Sequence, residues 1–293
     1  MEQLIYLDGA LVPRDRATIS PFDHGFLYGY GLFESMRAYS GHIFRLEQHL
    51  RRLANAADIL GLPLGTVDLE EACYMTLRAN KLGDARIRLA ISIGEGESTP
   101  DPPIHADPTI FIVATSYVPP PPERYVNGFN AVVSSIRQNS VSPLSHLKSA
   151  NYLNHVLARK EARAAGADEA LLLNERDLLC EGSTSNVFLV KGDELVTPGE
   201  ESGCLPGITR QTVIEIASAL SITMVQREVQ LEEFLQADEA FITNSLLELM
   251  PLTEDNGKAI GGGAGVSLGG GTVQRLRRAY GDLVRRELEG PLP

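Results

Sequence analysis

The sequence is poor in cysteine, in long apolar runs and in positive charge. Its three cysteines, Cys73, Cys180 and Cys204, are too few and too scattered for a disulfide framework, and no Cys-x-x-Cys or Cys/His cluster offers a zinc site. No stretch approaches the roughly 20 apolar residues of a membrane span, and the amino terminus lacks the basic start and apolar core of a signal peptide. These absences predict a cytoplasmic protein without a bound metal.

The charge balance argues against polyanionic partners. The 293 residues carry 26 lysines and arginines against 38 aspartates and glutamates, a net charge of −12. Such a surface mainly favours solubility, so we expect neither nucleic acid nor an anionic membrane as a partner. With 43% hydrophobic and 22% charged residues, the composition is that of an ordinary globular protein, and the length is sufficient for two modest domains.

A proline-rich segment marks the clearest domain boundary. Residues 118–123 contain four consecutive prolines, which favour a stiff, extended connector and are not expected in a helix or a central strand. We therefore predict a small α+β domain over residues 1–117, a connector over 118–128 and a larger domain over 129–293.

Local patterns predict helices and strands in both domains. The first domain is expected to begin with a hairpin at Asp8–Gly9 and to contain helices at 46–60 and about 67–80, with strands at 85–94 and 108–117. In the second domain the sequence predicts strands near 130–137, 169–174 and 186–190, helices at about 150–165 and 272–289, and a glycine-rich loop at 261–271. A further helix is expected to follow residues 206–209 and to run to about 220.

The pair Lys148 and Glu181 carries the clearest chemical signal. Lys148 follows a loop of small polar residues and precedes a largely apolar helix, and Glu181 opens a second small-residue loop. Desolvation of a lysine makes its free amine available for Schiff-base formation, and a carboxylate against a pyridine nitrogen keeps that ring protonated. The pair predicts pyridoxal phosphate, a cofactor whose protonated ring serves as an electron sink.

A second group of residues is suited to the phosphate of such a cofactor. Residues 206–210 begin a predicted helix, whose first N–H groups and partial positive charge favour an anion. Gly207 allows close approach of the backbone, and Thr209 adds a hydroxyl. Arg45 could supply a full positive charge, and residues 243–245 supply further hydroxyls.

These segments occur along the chain in a specific order. They are residues 29–37 (Gly-Tyr-Gly-Leu-Phe-Glu-Ser-Met-Arg), 44–45, 147–148 with 151–153, 181–182 with 185–186, 205–210 and 237–239. In this order the chain resembles, over nearly its whole length, the class IV, fold-type IV pyridoxal-phosphate enzymes. That family comprises branched-chain aminotransferases, D-amino acid aminotransferases and aminodeoxychorismate lyases.

The resemblance implies a fold and a set of roles. The fold would combine the small N-terminal α+β domain with a larger, cofactor-binding domain of mixed, β-barrel-like sheet and helices. Lys148 would be the Schiff-base lysine and carry the transferred proton, Glu181 would contact the ring nitrogen, and Tyr152 the phenolic oxygen. The family pairs its subunits, so a homodimer or a higher homo-oligomer is expected. The residues implied at the phosphate are Arg45, Ile208, Thr209 and Ser245.

The resemblance also implies a substrate site and a leading function. Tyr28 and Phe33 match the aromatic pocket of the branched-chain enzymes, and Arg88 matches a carboxylate-binding position there. Ser35 stands in place of their usual glycine and would narrow the pocket. The leading prediction is an aminotransferase with a ping-pong cycle. It would move the amino group of an amino acid, most favourably a branched-chain L-amino acid, to 2-oxoglutarate, so that amino acids and 2-oxo acids are its small-molecule partners.

Two alternatives share the cofactor. Ser35 and the segment 243–251, which looks more like that of the lyases, favour an aminodeoxychorismate lyase that produces 4-aminobenzoate and pyruvate. D-amino acid transamination is the third possibility. Ile93 stands where the D-specific enzymes commonly carry an arginine, so that alternative loses its usual anchor.

Overall fold

The computed structural model describes residues 2–101, 107–255, 257–260 and 271–289. All but the last residue of the predicted glycine-rich loop at 261–271 lies outside these ranges. The chain divides into two units, which are described separately. Unit 1 comprises Met1–Val118, Leu147–Asn151 and Arg286–Pro293, and unit 2 comprises Pro119–His146 and Tyr152–Arg285.

Within the described residues, unit 1 combines one antiparallel sheet with two longer α-helices and one short α-helix. Its described sheet has the strand order β2-β1-β6-β5-β3-β4, and all of its pairings are antiparallel. The predicted hairpin, helices and strands of this region are confirmed. Its elements are β1 (Leu4–Leu7), β2 (Ala10–Pro13), α1 (His24–Tyr28), β3 (Gly31–Tyr39), β4 (His42–Ile43), α2 (Leu46–Leu60), α3 (Leu69–Ala79), β5 (Ala85–Ser92) and β6 (Thr109–Ser116).

The two faces of this sheet have different neighbours. Because side chains alternate along a strand, Leu32 and Met36 of β3 share one face, where they join Leu53 of α2 and Leu77 of α3 in a hydrophobic core. The opposite face carries Phe33, Ser35 and Arg37 from β3. In the register of β3 with β5, Phe33 lies opposite Ala90, and Ser35 lies opposite Arg88. The sheet thus separates a structural core from a face with polar and aromatic side chains.

The segment 147–151 pairs with β3. The N–H of Phe33 donates to the carbonyl of Lys148 at 2.9 Å, and the N–H of Ala150 donates to the carbonyl of Gly31 at 2.8 Å. The sequence placed Lys148 next to the first turn of a helix beginning near 150, whereas the helix begins at Leu153. Lys148 therefore lies on an extended segment of unit 1, although the predicted division assigned it to the second domain.

Unit 2 contains a larger mixed sheet. In the described residues its strand order is β12-β11-β10-β13-β14-β7-β8-β9, with β15 beside β14, and the β11–β12, β14–β7 and β7–β8 pairs are parallel. The elements of unit 2 are α4 (Pro122–Asn127), β7 (Phe129–Gln138), α5 (Leu153–Ala164), β8 (Glu169–Asn174), β9 (Leu179–Gly182), β10 (Asn186–Lys191), β11 (Glu194–Pro198), α6 (Ile208–Ala219), β12 (Thr223–Arg227), α7 (Leu231–Leu235), β13 (Glu239–Asn244), β14 (Glu248–Asp255), β15 (Lys258–Ala259) and α8 (Thr272–Leu288).

Among the helices in the described ranges of both units, none has the length and apolar character needed to span a membrane.

The predicted connector over residues 118–128 is not extended throughout, because residues 122–127 form α4. Pro121 is extended and caps α4, and Pro122 is the first residue of that helix. The expectation that none of the four prolines lies in a helix is therefore wrong for Pro122. The physical reason is that the first helical position needs no N–H donor and accepts the fixed backbone angle of proline.

Candidate active site

Lys148 lies beside an aromatic ring that also contacts an arginine. Its Nζ is 4.8 Å from the centre of the Phe33 ring, and Cζ of Arg88 is 3.9 Å from the centre of the same ring. Both distances allow attraction between a cation and an aromatic face. Ser35 lies opposite Arg88 in the strand register. The structure thus brings together Lys148, Phe33, Ser35 and Arg88, four of the residues singled out in the sequence.

Tyr28 takes a different position from these four. It is the last residue of α1, its ring meets the ring of His24 edge-on at 5.0 Å, and it is 40% exposed. Its assignment to the substrate site remains a prediction.

An apolar cavity of about 440 Å³ opens on the Phe33 face of unit 1. It includes Phe33 and Arg88, but Tyr28 and Ser35 are not among its lining residues. Most of the residues that line the cavity were not predicted from the sequence. The principal ones are Ile19, Phe26, Ala90 and Phe111. The alternation of side chains along β5 and β6 was a signal for Ala90 and Phe111.

A buried charged cluster lies on the other face of β3. Arg52 donates to both oxygens of Glu34, from Nε at 2.8 Å and from Nη2 at 2.6 Å, and His49 Nδ1 lies 2.7 Å from Glu34 Oε2. Burial alone would raise the pKa of Glu34, but the charges and hydrogen bonds of Arg52 and His49 lower it to about 2.

The same cluster is electrostatically coupled to Lys148. Burial lowers the pKa of His49; Glu34 opposes this shift, while the positive charges of Arg52 and Lys148 reinforce it. Sequence reasoning missed this cluster. The available signal was the spacing of His49 and Arg52, three positions apart on a helix and thus on the same side of it.

Arg45 is engaged with α8. It precedes α2 in a left-handed conformation, and its Nε lies 3.0 Å from Oε1 of Glu287. This ion pair directs its guanidinium toward a carboxylate, and its assignment to the phosphate stays a prediction.

In unit 2, the carboxylate of Glu181 is held from two sides. Glu181 lies in β9 and is only 4% exposed. The N–H of Leu205 donates to its Oε2 at 3.0 Å, and His155 Nε2 lies 3.2 Å from its Oε1. The ring of Tyr152 stacks on that of His155 with 4.3 Å between ring centres, and the Tyr152 hydroxyl donates to the carbonyl of Ser183 at 3.1 Å. The sequence singled out Glu181 and Tyr152 and missed His155, which contacts both.

The loop that follows Glu181 is ordered by a second buried carboxylate. Glu169 accepts hydrogen bonds from the hydroxyl of Ser183, from the hydroxyl of Ser185 at 2.9 Å and from the N–H of Ala170 at 2.9 Å. Arg159 Nη1 lies 3.4 Å from the same carboxylate and partly balances its charge. The buried carboxylate has lost its hydrogen bonds to water, and two hydroxyls and a backbone N–H replace them.

The start of α6 has the features of an anion site. Gly207 caps the helix, and in the described part of the chain no side chain caps its first turn, which begins with Ile208 and Thr209. A Cβ on Gly207 would lie 2.0 Å from Oδ1 of Asn186, so any other residue here would require the asparagine or the helix start to shift. Asn186 lies opposite Thr243 in the pairing of β10 with β13. The Thr243 hydroxyl is buried and, within the residues that the structure describes, has no hydrogen-bond partner.

The donors and acceptors of unit 2 match the polar groups of pyridoxal phosphate. The start of α6 offers N–H groups to a phosphate, and the carboxylate of Glu181 offers an acceptor to a protonated ring nitrogen. The Tyr152 hydroxyl, which here donates to the Ser183 carbonyl, can turn its one hydrogen to a phenolate oxygen instead. Ser245 follows β13 directly and adds a hydroxyl. The residues therefore fit the cofactor expected from the sequence.

Comparison with known proteins agrees with this chemistry. Residues 31–254 match the amino-transferase class IV family. The chain is 41% identical over 259 residues to a putative branched-chain-amino-acid aminotransferase of Methanocaldococcus jannaschii, covering 87% of this chain and 89% of that protein. It is 36% identical over 256 residues to the aminodeoxychorismate lyase of Bacillus subtilis, covering 86% of each. Its structure resembles that of a T.th. branched-chain amino acid aminotransferase with pyridoxamine 5'-phosphate, with a TM-score of 0.89, 32% identity and coverage of 97% of this chain and 94% of that one.

Proposed function

The chain belongs to the class IV aminotransferase family and is a pyridoxal-phosphate-dependent aminotransferase, and from this premise we propose that it transfers the amino group of branched-chain L-amino acids to 2-oxoglutarate. The cofactor and the reaction class are those expected from the sequence, and so is the two-domain, fold-type IV architecture. The choice of substrate is the proposed step.

The observation that carries this choice is the pairing of an apolar cavity with one guanidinium. Phe33, Ala90 and Phe111 offer hydrocarbon surface to a branched aliphatic side chain, and Arg88 is the cation that lines the cavity. A carboxylate that reaches Arg88 gains a charge-assisted hydrogen bond. The names of the Methanocaldococcus jannaschii relative and of the T.th. structure support the same substrate class.

The proposed roles follow the chemistry of each side chain. Bound pyridoxal phosphate supplies the electron sink that makes the Cα–H of an amino acid acidic. Lys148 is the amine that would hold the cofactor through its aldehyde, and its free Nζ would accept the Cα proton of the amino acid. Glu181 would hold the proton on the ring nitrogen, and Tyr152 would donate to the phenolic oxygen in place of the Ser183 carbonyl. The residues proposed to hold the phosphate are Arg45, Ile208, Thr209 and Ser245.

We also propose that the protein acts as a homodimer, or a higher homo-oligomer, in the cytoplasm. Phe22, Phe26 and Tyr28 are respectively 54%, 77% and 40% exposed, and large apolar side chains so close together in the chain are typical of an interface.

The cysteines support the proposed cytoplasmic location. Cys73, Cys180 and Cys204 are free thiols, which suits a reducing compartment.

Substrate profiling tests the proposed function. The holoprotein is mixed with L-leucine, L-valine or L-isoleucine and 2-oxoglutarate, and glutamate is measured. We expect glutamate with all three, and its absence would contradict the proposal. Two further arms address the alternatives. Pyruvate release from aminodeoxychorismate without an amino acceptor would identify a lyase, the reading favoured by Ser35 and the Bacillus subtilis relative. Consumption of D-leucine in preference to L-leucine would identify a D-amino acid enzyme.

A further inference from the structure

One imidazole contacts both of the residues in unit 2 to which we assign the cofactor's ring. His155 Nε2 lies 3.2 Å from Oε1 of Glu181, and the His155 ring stacks on the Tyr152 ring at 4.3 Å with only 7° between the two planes. Its side chain is 14% exposed, and that of Glu181 is 5% exposed. The contacts are therefore shielded from most of the competing water.

Local sequence explains why the two rings meet. Tyr152 precedes α5, and His155 lies in the first turn of that helix, three positions later. Side chains three positions apart lie on the same side of a helix, so the two rings are brought together by the helix itself. The Tyr152 hydroxyl is held separately by the carbonyl of Ser183 at 3.1 Å. Stacking at one end and a hydrogen bond at the other restrict the plane of the phenol.

The partners of His155 also determine where its hydrogen lies. An ionised carboxylate can only accept, so the ring nitrogen that faces Glu181 must carry hydrogen. The other nitrogen, Nδ1, is buried and has no partner among the described residues. A buried N–H without an acceptor is costly, which favours the tautomer with its hydrogen on Nε2. In that tautomer His155 is a donor to Glu181.

The Glu181 carboxylate consequently has a donor on each oxygen. Leu205 N–H donates to Oε2 at 3.0 Å, and His155 donates to Oε1. Two donors from different segments limit rotation of the carboxylate, whereas one donor would leave the group free to turn about its hydrogen bond. Each oxygen retains a lone pair for a further donor.

We propose that His155 is a positioning residue of the transamination reaction, which fixes the carboxylate of Glu181 and the ring plane of Tyr152 at the same time. The inference rests on the proposed function, because it takes Glu181 as the partner of the ring nitrogen and Tyr152 as the partner of the phenolic oxygen. His155 itself acts through these two residues and touches neither the substrate nor the cofactor.

Two variants separate the two contacts. His155→Phe keeps an aromatic ring for stacking and removes the donor, whereas His155→Gln keeps an amide donor and removes the stacking ring. Asn154→Ala, an exposed position on the same helical turn, is the matched control. Each holoprotein is prepared with pyridoxal phosphate labelled with ¹⁵N at the ring. The ¹⁵N chemical shift, the affinity of the apoprotein for pyridoxal phosphate and glutamate formation are then measured.

We expect His155→Phe to bind pyridoxal phosphate roughly tenfold more weakly, the size of one hydrogen bond to a charged group, and to move the ¹⁵N shift toward that of an unprotonated ring. His155→Gln should restore the ¹⁵N shift of the original protein, and Asn154→Ala should match it in all three measurements. A simple loss of packing would lower stability in both His155 variants without this difference in ¹⁵N shift.

Two results would overturn the inference while leaving the proposed function intact. One is a His155→Phe holoprotein whose ¹⁵N shift and cofactor affinity are unchanged. The other is a ¹⁵N shift in His155→Gln that is displaced as far as in His155→Phe. Failure of the proposed function has a different signature. In that case the original protein itself would form no glutamate from branched-chain L-amino acids or would not bind the labelled cofactor, and the inference would fall with it.

Discussion

Phe33 holds Lys148 through both its backbone and its ring. The Phe33 N–H donates to the Lys148 carbonyl at 2.9 Å, and the Lys148 Nζ lies 4.8 Å from the centre of the Phe33 ring. The register of β3 therefore determines where the lysine's main chain lies, while the aromatic ring favours its amine when charged. Cζ of Arg88 lies 3.9 Å from the centre of the same ring, so one side chain connects the Lys148 amine with the proposed carboxylate site.

Replacing the lysine tests its role in proton transfer. We expect Lys148→Ala to lower the rate of glutamate formation by on the order of 10²–10⁴, because general acid–base catalysis by one side chain contributes that much, with a further loss from the missing covalent attachment. After borohydride reduction, peptide mapping should find the cofactor on Lys148 in the original protein. Lys160→Ala, an exposed lysine of α5, is the control and should remain fully active. A cofactor adduct on any other residue would contradict the assignment.

Arg88 is expected to determine how tightly carboxylates bind. Arg88→Gln should raise the KM for 2-oxoglutarate or for L-leucine by roughly 10–100-fold, the range expected for the loss of a hydrogen bond between charged groups. Arg86→Gln changes an exposed arginine two positions earlier on the same strand and should leave both values within about twofold. Steady-state kinetics with each substrate varied in turn make the comparison, and equal effects of the two variants would count against a specific role for Arg88.

The tight contact at the start of α6 predicts a loss of cofactor affinity in Gly207→Ala. The added Cβ would lie 2.0 Å from Asn186 Oδ1, so either the helix start or the asparagine must move. We expect pyridoxal phosphate to bind at least about tenfold more weakly, because the N–H groups would no longer be aligned for its phosphate. Gly281→Ala in α8 is the control, since its added Cβ meets nothing closer than Arg285 Nη1 at 3.8 Å. Titration of apoprotein with the cofactor decides; unchanged affinity in Gly207→Ala would refute the assignment of this site to the phosphate.

The buried cluster around Glu34 predicts a loss of stability in acid. The folded-state pKa of about 2 lies below the ordinary value of 4.5, so the ionised carboxylate stabilises the fold above pH 4.5 and this contribution is lost as the pH falls toward 2. At neutral pH, Glu34→Gln should lower the free energy of unfolding by about 3–5 kcal/mol, because Arg52 is left without its counter-charge. The difference in the free energy of unfolding between Glu34→Gln and the original protein should narrow as the pH falls from 4.5 to 3.

Urea unfolding at several pH values measures this effect. Glu47→Gln removes an exposed carboxylate that pairs with Arg51 on the surface of the same helix, and it should change stability by less than about 1 kcal/mol at every pH. A Glu34→Gln deficit that stays constant from pH 7 to pH 3 would show that ionisation of Glu34 does not stabilise the fold.

Local sequence patterns predicted the long elements and the chemistry well. The predicted helix at 46–60 coincides with α2 because its apolar residues recur at helical spacing over four turns. The small-residue loop after Glu181 and the glycine before Ile208 were recognisable for the same reason, since the signal lies within a few neighbouring residues. In contrast, α1 and β9 are only five and four residues long, too short for a periodic pattern to show.

What the sequence did not reveal depends on contacts between distant segments. Residues 147–151 pair with β3 although more than a hundred residues separate the two segments in the chain. The sequence near Lys148 contains no pattern that predicts this pairing. Nothing in the sequence around His155 indicates that Glu181, on another strand, is its partner. Arg45 has the charge that a phosphate needs, but its ion pair with Glu287 involves the last helix. Local residue type suggests a role, while the partner that defines it comes from the fold.

The most direct test of the account follows a labelled nitrogen. L-[¹⁵N]leucine and unlabelled 2-oxoglutarate are incubated with the holoprotein, and the isotope content of glutamate is measured by mass spectrometry, with Lys148→Ala in parallel. We predict that ¹⁵N appears in glutamate with the original protein, in amounts equal to the 2-oxo acid formed from leucine, and that the variant transfers on the order of 10²–10⁴ times more slowly. No ¹⁵N-labelled glutamate from the original protein, or undiminished transfer by Lys148→Ala, would contradict a branched-chain aminotransferase that works through this lysine.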